Sequence, residues 1–288
     1  MKERRILHDC IPPVFFRIQR HLFGKYGFRG DYGTWSEAAA VSGGYDSSHI
    51  LAKVRDALLK VKSGEAVHER DSVLFDTVHY AWPLLAGLLW TASLHGNRLN
   101  VVDFGGSLGS SYFQNRKFLW HLSEVRWNVV EQEHFVECGK RHFEDGRLAF
   151  YRDLDECFRE QHPKAIILSS VLQYLEHPYG LLEDVFSLGF EVIIIDRTPF
   201  LKKGSDRITV QKVPPEIYEA SYPAWFFSEE KFLRHFSGKY ELIADFDSLD
   251  RADIPSSRFR GFIFKRTAPN NNGLLSKTIM PDAKVKDA

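Results

Sequence analysis

A glycine-rich turn at residues 103–110, DFGGSLGS, is the part of the sequence best suited to hold a ligand. The apolar run before it ends in an acid, Asp103, and the residues after it are typical of a helix. Gly105, Gly106 and Gly109 permit positive φ and let backbone N–H groups approach a ligand without a Cβ in the way. We therefore predict a ligand-binding turn; the alternative is a tight strand-to-helix connection that binds nothing.

A second acid, Glu131, ends the next apolar run, roughly 20 residues beyond the glycines. An acid in this position can accept hydrogen bonds from the hydroxyl groups of a ribose. The alternative is a surface carboxylate beside Gln132 and Glu133, with no ligand. The spacing favours a nucleoside at Glu131.

The charge of Asp103 and the spacing of the glycines distinguish between two kinds of nucleoside ligand. A carboxylate at the end of the strand repels a pyrophosphate and attracts an ammonium or sulfonium group. If Gly106 and Gly109 are the last two glycines of the dinucleotide pattern G-x-G-x-x-G, Phe104 occupies the position of the first, so that pattern fails. Both observations favour S-adenosylmethionine over a dinucleotide.

The elements that must position these residues begin at Leu99, where short apolar runs start to alternate with helical stretches. Such alternation predicts a parallel, doubly wound sheet, because each crossover helix has to cover one sheet face. Two further runs, 240–246 and 259–265, predict an antiparallel pair at one edge. The five predicted parallel strands are residues 99–104, 127–131, 148–151, 165–170 and 191–196.

The region before the sheet is mostly helical by its pattern. A helix is expected over residues 49–60, with Gly64 ending it. An apolar stripe with helical spacing runs across residues 74–88 and predicts a second, buried helix. Pro83 should kink that helix or mark a new start.

The first residues of the chain suggest a separate helix. Residues 11–23 mix apolar side chains with Arg17 and Arg20, a composition that permits weak peripheral contact with a membrane surface. The alternative, which we favour, is a helix packed on the main domain. The longest apolar run, 81–94, is shorter than the about 20 residues that span a bilayer.

Composition excludes several other classes. The 288 residues are 44% hydrophobic and 26% charged, which is globular composition. Lysine plus arginine and aspartate plus glutamate both total 38, so no basic excess suggests a nucleic-acid partner. Cys10, Cys138 and Cys157 are far apart, which favours a reducing, cytoplasmic location and gives no cysteine-rich metal site.

These motifs resemble those of class I S-adenosylmethionine-dependent methyltransferases over about residues 98–266. More narrowly, the chain is similar to a methyltransferase family associated with bacterial surface-polysaccharide biosynthesis. The resemblance implies a Rossmann-like α/β fold with a doubly wound, mostly parallel seven-stranded sheet. The residue pattern itself predicts a helical N-terminal extension at 1–97, and the polar composition after Arg266 predicts a disordered tail at 267–288. The segments that carry the narrower resemblance are residues 30–38, 69–76, 103–110 and 195–200.

The resemblance also implies roles for particular residues. Asp103 and the backbone of the glycine turn would cradle the methionine part of S-adenosylmethionine, and Glu131 would take the ribose hydroxyls. Ser169 and Ser170 begin a motif that follows the fourth strand and would line the cofactor pocket. The acid that usually binds near the adenine has no clear equivalent in residues 151–153, so adenine recognition stays open.

Methyl transfer needs an aligned acceptor and, for an oxygen acceptor, a group that removes a proton. His177, just past the fourth strand, is the first candidate base; the alternative is an ordinary turn histidine. Asp196 and Arg197 follow the fifth strand and could bind or deprotonate the acceptor, or pair with each other. No residue spacing suggests a metal.

An aromatic segment after the fifth strand, residues 213–227, has the composition of a loop. Tyr222 and Trp225 within it could stack on a sugar ring. The alternative is a lid whose aromatic side chains pack on the sheet. His79 and Trp82 could close the same pocket from the other side; the alternative is that they pack in the core.

The sequence as a whole predicts an S-adenosylmethionine-dependent methyltransferase. The acceptor would be a hydroxyl, carboxyl or amine group of a sugar or glycan precursor in surface-polysaccharide biosynthesis. Two alternatives belong to other classes. One is an NAD(P)-dependent oxidoreductase or epimerase on a dinucleotide-binding fold, and the other is a catalytically silent, methyltransferase-like binding subunit.

Overall fold

A computed structural model of the chain describes residues 26–44, 47–70, 72–214, 217, 220–248, 250 and 254–267. The helix predicted at residues 11–23 lies outside these residues, so neither its membrane contact nor its packing on the main domain is tested. The tail predicted beyond residue 267 also lies outside them. Within the described ranges, no helix is both long enough and apolar enough to cross a bilayer.

The described residues alternate between strands and helices. The strands are β1 (Gly27–Tyr32), β2 (His68–Arg70), β3 (Val73–Phe75), β4 (Arg98–Phe104), β5 (Glu124–Val130), β6 (Leu148–Tyr151), β7 (Ala165–Ser169), β8 (Val192–Leu201), β9 (Arg207–Lys212), β10 (Ser221–Ser228), β11 (Tyr240–Asp247) and β12 (Ser257–Arg266). The helices are α1 (Trp35–Ala40), α2 (Ser47–Ser63), α3 (Trp82–Leu94), α4 (Ser110–Leu119), α5 (Glu133–His142), α6 (Leu154–Gln161), α7 (Pro178–Leu188) and α8 (Glu229–Phe236).

The central sheet is mixed and mostly parallel, which confirms the predicted α/β, doubly wound class. Strands β6, β5, β4, β7 and β8 lie side by side in that order and run parallel. β12 pairs antiparallel with β8, and β11 pairs antiparallel with β12, as the alternating runs predicted. Three more strands extend this seven-stranded arrangement, because β10 meets the end of β8 and carries β9 and β1 beyond it.

The order of the strands creates a switch point between β4 and β7. The chain leaves β4 toward β5 and β6 on one side, then returns to β7 and β8 on the other. Helices that follow neighbouring strands here cover opposite faces, which leaves a crevice at the carboxyl ends of the strands. The glycine turn follows β4 and Ser169 ends β7, so both border this crevice.

Continuous apolar runs form the strands because both faces of the sheet are covered. In β8, Ile193, Ile194 and Ile195 are all fully buried. Ile194 belongs to the hydrophobic cluster on one face, whereas Ile193 and Ile195 belong to the cluster on the other. Each burial of such a side chain contributes about 1.5–3 kcal/mol, so the run strongly favours a central strand.

The expectation of one helix across residues 74–88 is wrong in its first half. Residues 73–75 form β3, which pairs with β2 in a hairpin, and α3 begins only at Trp82. Pro83 lies in the first turn of α3, where its missing N–H is tolerated, so it marks a new start as predicted. The other predicted helix is confirmed: α2 ends just before Gly64, which has φ +86°.

Residues before the sheet share its core. Leu58 of α2 and Leu88 of α3 are fully buried in the same cluster as Val101 of β4. α3 approaches the sheet so closely that a Cβ on Gly87 would lie 3.0 Å from the side chain of Ile194. Strand β1 also pairs with β9 of the main sheet. The domain boundary at residue 98 stays a prediction.

The aromatic segment after β8 is not the loop that its composition suggested. Residues 221–228 form β10, which pairs antiparallel with β9 over most of its length. Tyrosine, tryptophan and phenylalanine favour strands because they fit a pleated, half-buried surface. That preference determines the structure here despite the prolines nearby.

Candidate functional site

The backbone of the glycine turn is tightly wound. Gly105 and Gly109 have φ of +70° and +92°, and Ser107 between them has φ of +55°. The Gly105 N–H donates to the Val130 carbonyl over 2.9 Å, which ties the turn to β5. The Gly109 N–H donates to the Gly106 carbonyl over 2.9 Å and closes the turn before α4 begins. Glycine is required at 105 and 109 because residues with a Cβ rarely adopt these angles.

Side chains of the protein itself pack against two of the glycines. A Cβ on Gly106 would lie 2.5 Å from Cγ of Asp103, and one on Gly105 would lie 2.6 Å from Cγ2 of Val171. The Asp103 carboxyl therefore lies directly against the turn. Because packing alone demands these two glycines, their presence does not by itself indicate a ligand.

Asp103 carries an unusual buried carboxyl group at the end of β4. Only 2% of its surface is exposed, and its Oδ2 accepts a 3.1 Å hydrogen bond from the Trp127 indole. Burial raises the pKa of Asp103 to about 7; the Trp127 bond opposes this shift, and the nearby charge of Glu131 adds to it. The carboxyl group therefore ionises near neutral pH and would gain from a cation beside it.

Glu131 lies beside the same turn. Its Oε2 accepts a 2.7 Å hydrogen bond from the Gln132 N–H, and the backbone of Ser107 also bonds to its carboxylate. Burial nevertheless raises the pKa of Glu131. The residue is only partly exposed and is fixed to the turn, which does not fit the surface carboxylate of the alternative interpretation. Within the described residues, neither lysine nor arginine offsets the charge of Asp103 or Glu131.

Ser169 and Ser170 lie on the other side of the switch point. Ser170 has φ of +56°, and its N–H donates to the Asp196 carbonyl over 3.0 Å. The Gln173 side chain donates to the Ser170 hydroxyl over 3.2 Å. Val171, the next residue, lies against Gly105, so this segment borders the glycine turn. A cofactor-lining role for the two serines stays a prediction.

The segment at the end of β6, residues 151–153, makes structural contacts of its own. Asp153 is the N-cap of α6 and accepts a 2.8 Å hydrogen bond from the Glu156 N–H. The exposed Arg152 forms ion pairs with Glu133 and Glu137 of α5. Residues 151–153 therefore supply a helix cap and a surface network, and adenine recognition stays open.

A cavity of about 170 Å³ opens on the same edge of the sheet. On the sheet side its wall contains Ser110, Ser169, Asp196 and Arg197. Further lining residues come from strand β2, the start of α3 and the end of β11. Ser110 directly follows the glycine turn and Ser169 directly precedes Ser170, so the cavity borders the predicted cofactor crevice.

Two of the three predicted catalytic residues line this cavity. Asp196 is 2% exposed, and its Oδ1 accepts 2.8 Å hydrogen bonds from the Arg197 N–H and the Ser248 hydroxyl. Burial raises the pKa of Asp196. The Arg197 guanidinium donates to Asp250 over 2.7 Å. His177, the third residue, is exposed at the start of α7 and does not line the cavity.

The two predicted sugar-stacking residues lie in the scaffold around β10. The Tyr222 ring packs edge-on against Tyr174, with centroids 5.2 Å apart. The Trp225 ring stacks 6.1 Å from Trp35 and 6.3 Å from Phe227, and its indole donates to a backbone carbonyl. Neither residue lines the cavity. A stacking role for them stays a prediction.

The β2–β3 hairpin contributes cavity residues that sequence reasoning missed. Glu69 is 2% exposed; its carboxylate accepts hydrogen bonds from the Ser110 hydroxyl and from the Ser72 N–H. His68 is also buried, and burial together with the charges of Arg70 and His79 lowers its pKa to about 4. Glu69 opened a segment that carried the family resemblance, but nothing in the sequence assigned it chemistry.

Aromatic side chains form one lip of the cavity. Trp82 is 57% exposed, and its ring lies 4.9 Å from Tyr80 and 5.6 Å from Phe118. His79 and Trp82 line the cavity, whereas Tyr222 and Trp225, whose pocket they could have closed, do not. In the described part of the chain, histidine, cysteine and acidic residues form no cluster suited to a metal ion.

Comparison with protein-family profiles and with curated proteins gives no match to this chain. Solved structures do show a likeness of fold. The N-terminal domain of EvdMO1, determined with S-adenosylhomocysteine and D-fucose, is 12% identical at a TM-score of 0.45 and covers 78% of this chain and 98% of its own.

Two further structures are similar at the same level. The magnesium protoporphyrin IX methyltransferase of Synechocystis PCC 6803, with bound S-adenosylmethionine, is 12% identical at a TM-score of 0.41; the match covers 93% of this chain and 98% of that one. CalS10, an amino pentose methyltransferase from Micromonospora echinaspora, is 11% identical at a TM-score of 0.41. The match covers 65% of this chain and 92% of CalS10. Identities and scores this low carry no inference about the reaction, so the fold assignment rests on the strand order described above.

Proposed function

We propose that this protein is an S-adenosylmethionine-dependent methyltransferase that acts on a sugar or glycan precursor. The observation that carries the proposal is the pair of acids, Asp103 and Glu131, held against the glycine turn at the switch point of the sheet. Doubly wound sheets bind ligands at this point. The two carboxyl groups repel each other, and a cationic, ribose-bearing ligand would relieve that repulsion.

The residues at the turn fit S-adenosylmethionine. Its sulfonium and ammonium groups would favour the ionised form of Asp103, whose pKa is raised to about 7 by burial. Glu131 is held in place by the backbone of Ser107 and Gln132, and a carboxylate has further lone pairs for ribose hydroxyls. The cofactor, when bound, supplies an electrophilic methyl group.

The charge at the turn argues against the dinucleotide alternative. A pyrophosphate at the turn would lie beside the buried Asp103, whose charge no lysine or arginine in the described ranges offsets. Like charges in a partly buried site are strongly unfavourable. Glu131 could bind a ribose in either class and does not distinguish them.

Asp196 is the residue we propose as proton acceptor. It lines the cavity beside the crevice, and its carboxylate is oriented by the Arg197 N–H and the Ser248 hydroxyl. A raised pKa makes an aspartate a stronger base once it ionises. His177 lies outside this cavity, which makes it the weaker candidate.

The acceptor class and the setting are the least direct parts of the proposal. A sugar acceptor is supported by the family resemblance and by the polar wall of the cavity. A role in surface-polysaccharide biosynthesis rests on the resemblance alone. Cys138 and Cys157 are free thiols, which is compatible with the cytoplasmic location that we propose.

Calorimetric titration tests the proposal. We expect S-adenosylmethionine and S-adenosylhomocysteine to bind in the micromolar range, and NAD+ and NADP+ to give no heat. Glu131→Gln should weaken binding about tenfold, because it removes a charged acceptor of hydroxyl hydrogen bonds. Glu133→Gln, at an exposed residue close by, is the matched control and should bind like the wild type.

The outcomes separate the competing classes. No binding of either S-adenosyl compound at millimolar concentration would overturn the proposal. Binding of NAD+ instead would support the oxidoreductase class. Binding of S-adenosylmethionine with no methyl transfer to any sugar or glycan would support the silent binding subunit.

A further inference from the structure

The lip of the cavity presents an aromatic face to solvent. Trp82 is 57% exposed although it is a large apolar residue. Its ring is nevertheless fixed, because Tyr80 lies 4.9 Å away and Phe118 supports both rings at 5.1 Å and 5.6 Å. A rigid, exposed aromatic face at the mouth of a cavity is suited to stack on the apolar face of a sugar ring.

The inner wall of the cavity offers hydrogen-bond acceptors. Glu69 and Asp196 are each only 2% exposed, and both line the cavity. Carboxylates accept hydrogen bonds and donate none, so a ligand rich in hydroxyl donors complements them. Ser72 and Ser110 hold the Glu69 carboxylate, and backbone and hydroxyl donors hold that of Asp196.

The charges that line the cavity disfavour an anionic ligand. Three acids, Glu69, Asp196 and Asp247, line the cavity together with two arginines, Arg70 and Arg197. Arg197 is paired with Asp250, and Asp247 is paired with Arg260. His68 is uncharged at neutral pH because burial and neighbouring charges lower its pKa to about 4. A carboxylate or phosphate on the ligand would therefore meet net negative charge.

Size and position further narrow the ligand. The cavity, at about 170 Å³, is smaller than the roughly 300–1,000 Å³ of pockets that hold drug-sized ligands, which suits a single ring inside it. The Ser110 hydroxyl, next to the glycine turn, donates to Glu69 inside the cavity. The cavity and the predicted cofactor crevice therefore share a wall.

We infer that this cavity is the methyl-acceptor site and that it takes one neutral sugar ring, stacked on Trp82 and Tyr80 and hydrogen-bonded to Glu69 and Asp196. The inference rests on the proposed methyltransferase function and specifies its substrate. One sugar hydroxyl oxygen bonds to the methyl carbon as the carbon–sulfur bond breaks. Sulfur keeps the electron pair of that bond, and the hydroxyl proton passes to the Asp196 carboxylate.

Saturation-transfer NMR with simple sugars tests the inference on the full-length protein, with S-adenosylhomocysteine present. The neutral probes are D-glucose, D-galactose and L-rhamnose; the anionic probes are D-glucuronate and glucose 6-phosphate. We expect at least one neutral sugar to bind in the millimolar range and the anionic probes to bind more weakly.

Three tryptophan variants locate the site. Trp82→Ala should weaken the binding of the neutral sugar about fivefold or more, while Trp82→Phe should restore most of it, because a ring remains for stacking. Trp120→Ala is the matched control; Trp120 is 55% exposed, lies outside the cavity lining and should leave sugar binding unchanged.

Failure of the inference and failure of the proposed function give different results. If S-adenosylhomocysteine binds but no neutral sugar does, or if Trp82→Ala binds sugar as well as the wild type, the acceptor site is wrong and the cofactor assignment stands. Preference for the anionic probes would likewise overturn the inference. If S-adenosylhomocysteine itself does not bind, the proposed function fails first.

Discussion

The carboxylate of Glu131, at the end of β5, is hydrogen-bonded to the backbone of Ser107 in the turn that follows β4. Two strands that are neighbours in the sheet are thereby joined at their carboxyl ends, where the charge of Glu131 also reaches Asp103. The two acids and the turn therefore form one connected, negatively charged site. A ligand at this site meets donors, acceptors and charge that are already in place.

The buried carboxyl group of Asp103 should make stability depend on pH. Its pKa is about 7 in the folded protein, compared with the ordinary value of 3.8. Between these values the folded protein keeps a proton that the unfolded chain has released, so the free energy of unfolding falls as pH rises from about 4 to 7. The loss is about 1.4 kcal/mol for each unit of pKa shift, and it is complete above pH 7.

Urea unfolding at a series of pH values checks this prediction. Asp103→Asn, which has no proton to titrate, should lose this part of the pH dependence, whereas the exposed Asp184→Asn should keep it. Parallel pH profiles for the wild type and Asp103→Asn would show that the carboxyl group is ionised normally.

Gly106→Ala should destabilise the protein. The added Cβ would lie 2.5 Å from Cγ of Asp103, so the turn or the carboxyl group must move, at a cost of about 1–3 kcal/mol. Gly146→Ala is a matched control, since no atom lies within 4 Å of its Cβ position, and its effect should stay within about 0.5 kcal/mol. The difference in the free energy of unfolding between the two variants is the measurement; equal values would mean that Asp103 does not pack against the turn.

Asp196→Asn should lower the rate of methyl transfer about 10²–10⁴-fold and leave the affinity for S-adenosylhomocysteine unchanged. Because burial raises the pKa of Asp196, the rate of the wild type should rise with pH above the usual range of an aspartate. Initial rates of S-adenosylhomocysteine release measure both effects. Retained activity in Asp196→Asn, with a large loss of activity in His177→Ala, would show that His177 and not Asp196 is the general base.

Trp225→Ala should destabilise the fold by about 3 kcal/mol, because the ring packs between Trp35 and Phe227 and its indole is hydrogen-bonded. Trp82→Ala should change stability by no more than about 0.5 kcal/mol, because Trp82 is 57% exposed. Guanidinium unfolding of both variants gives the comparison. A neutral Trp225→Ala would argue that its ring is free to bind a ligand.

The sequence made the central sheet and one side of the site predictable, for physical reasons. The run around Ile194 is apolar on both faces, which only a covered strand tolerates. Because parallel strands end at one edge, the spacing along the chain was enough to place Asp103 and Glu131 there. Asp196 was expected at the end of its strand but lies within β8, level with Ser169 at the end of β7.

The part of the site that comes from β2, β3 and the aromatic residues could not be predicted from the sequence. β2 and β3 have three residues each, too few for a period, and the Glu69 carboxylate bonds to Ser110, far along the chain. Aromatic residues posed a similar problem. Trp82 and Trp225 are both tryptophans in aromatic-rich segments, so the sequence does not distinguish them. Trp82 is exposed at the cavity, whereas Trp225 is stacked in the scaffold, and only tertiary packing determines this difference.

The most direct test of the central claim is a crystal structure with S-adenosylhomocysteine, in which the distance from the ribose hydroxyls to the Glu131 carboxylate is measured. The account predicts hydrogen-bond distance there, with the amino acid end of the ligand against the Asp103 turn and its sulfur facing the cavity that contains Asp196. Ligand density elsewhere on the chain, or a turn region filled by the protein's own side chains, would contradict it.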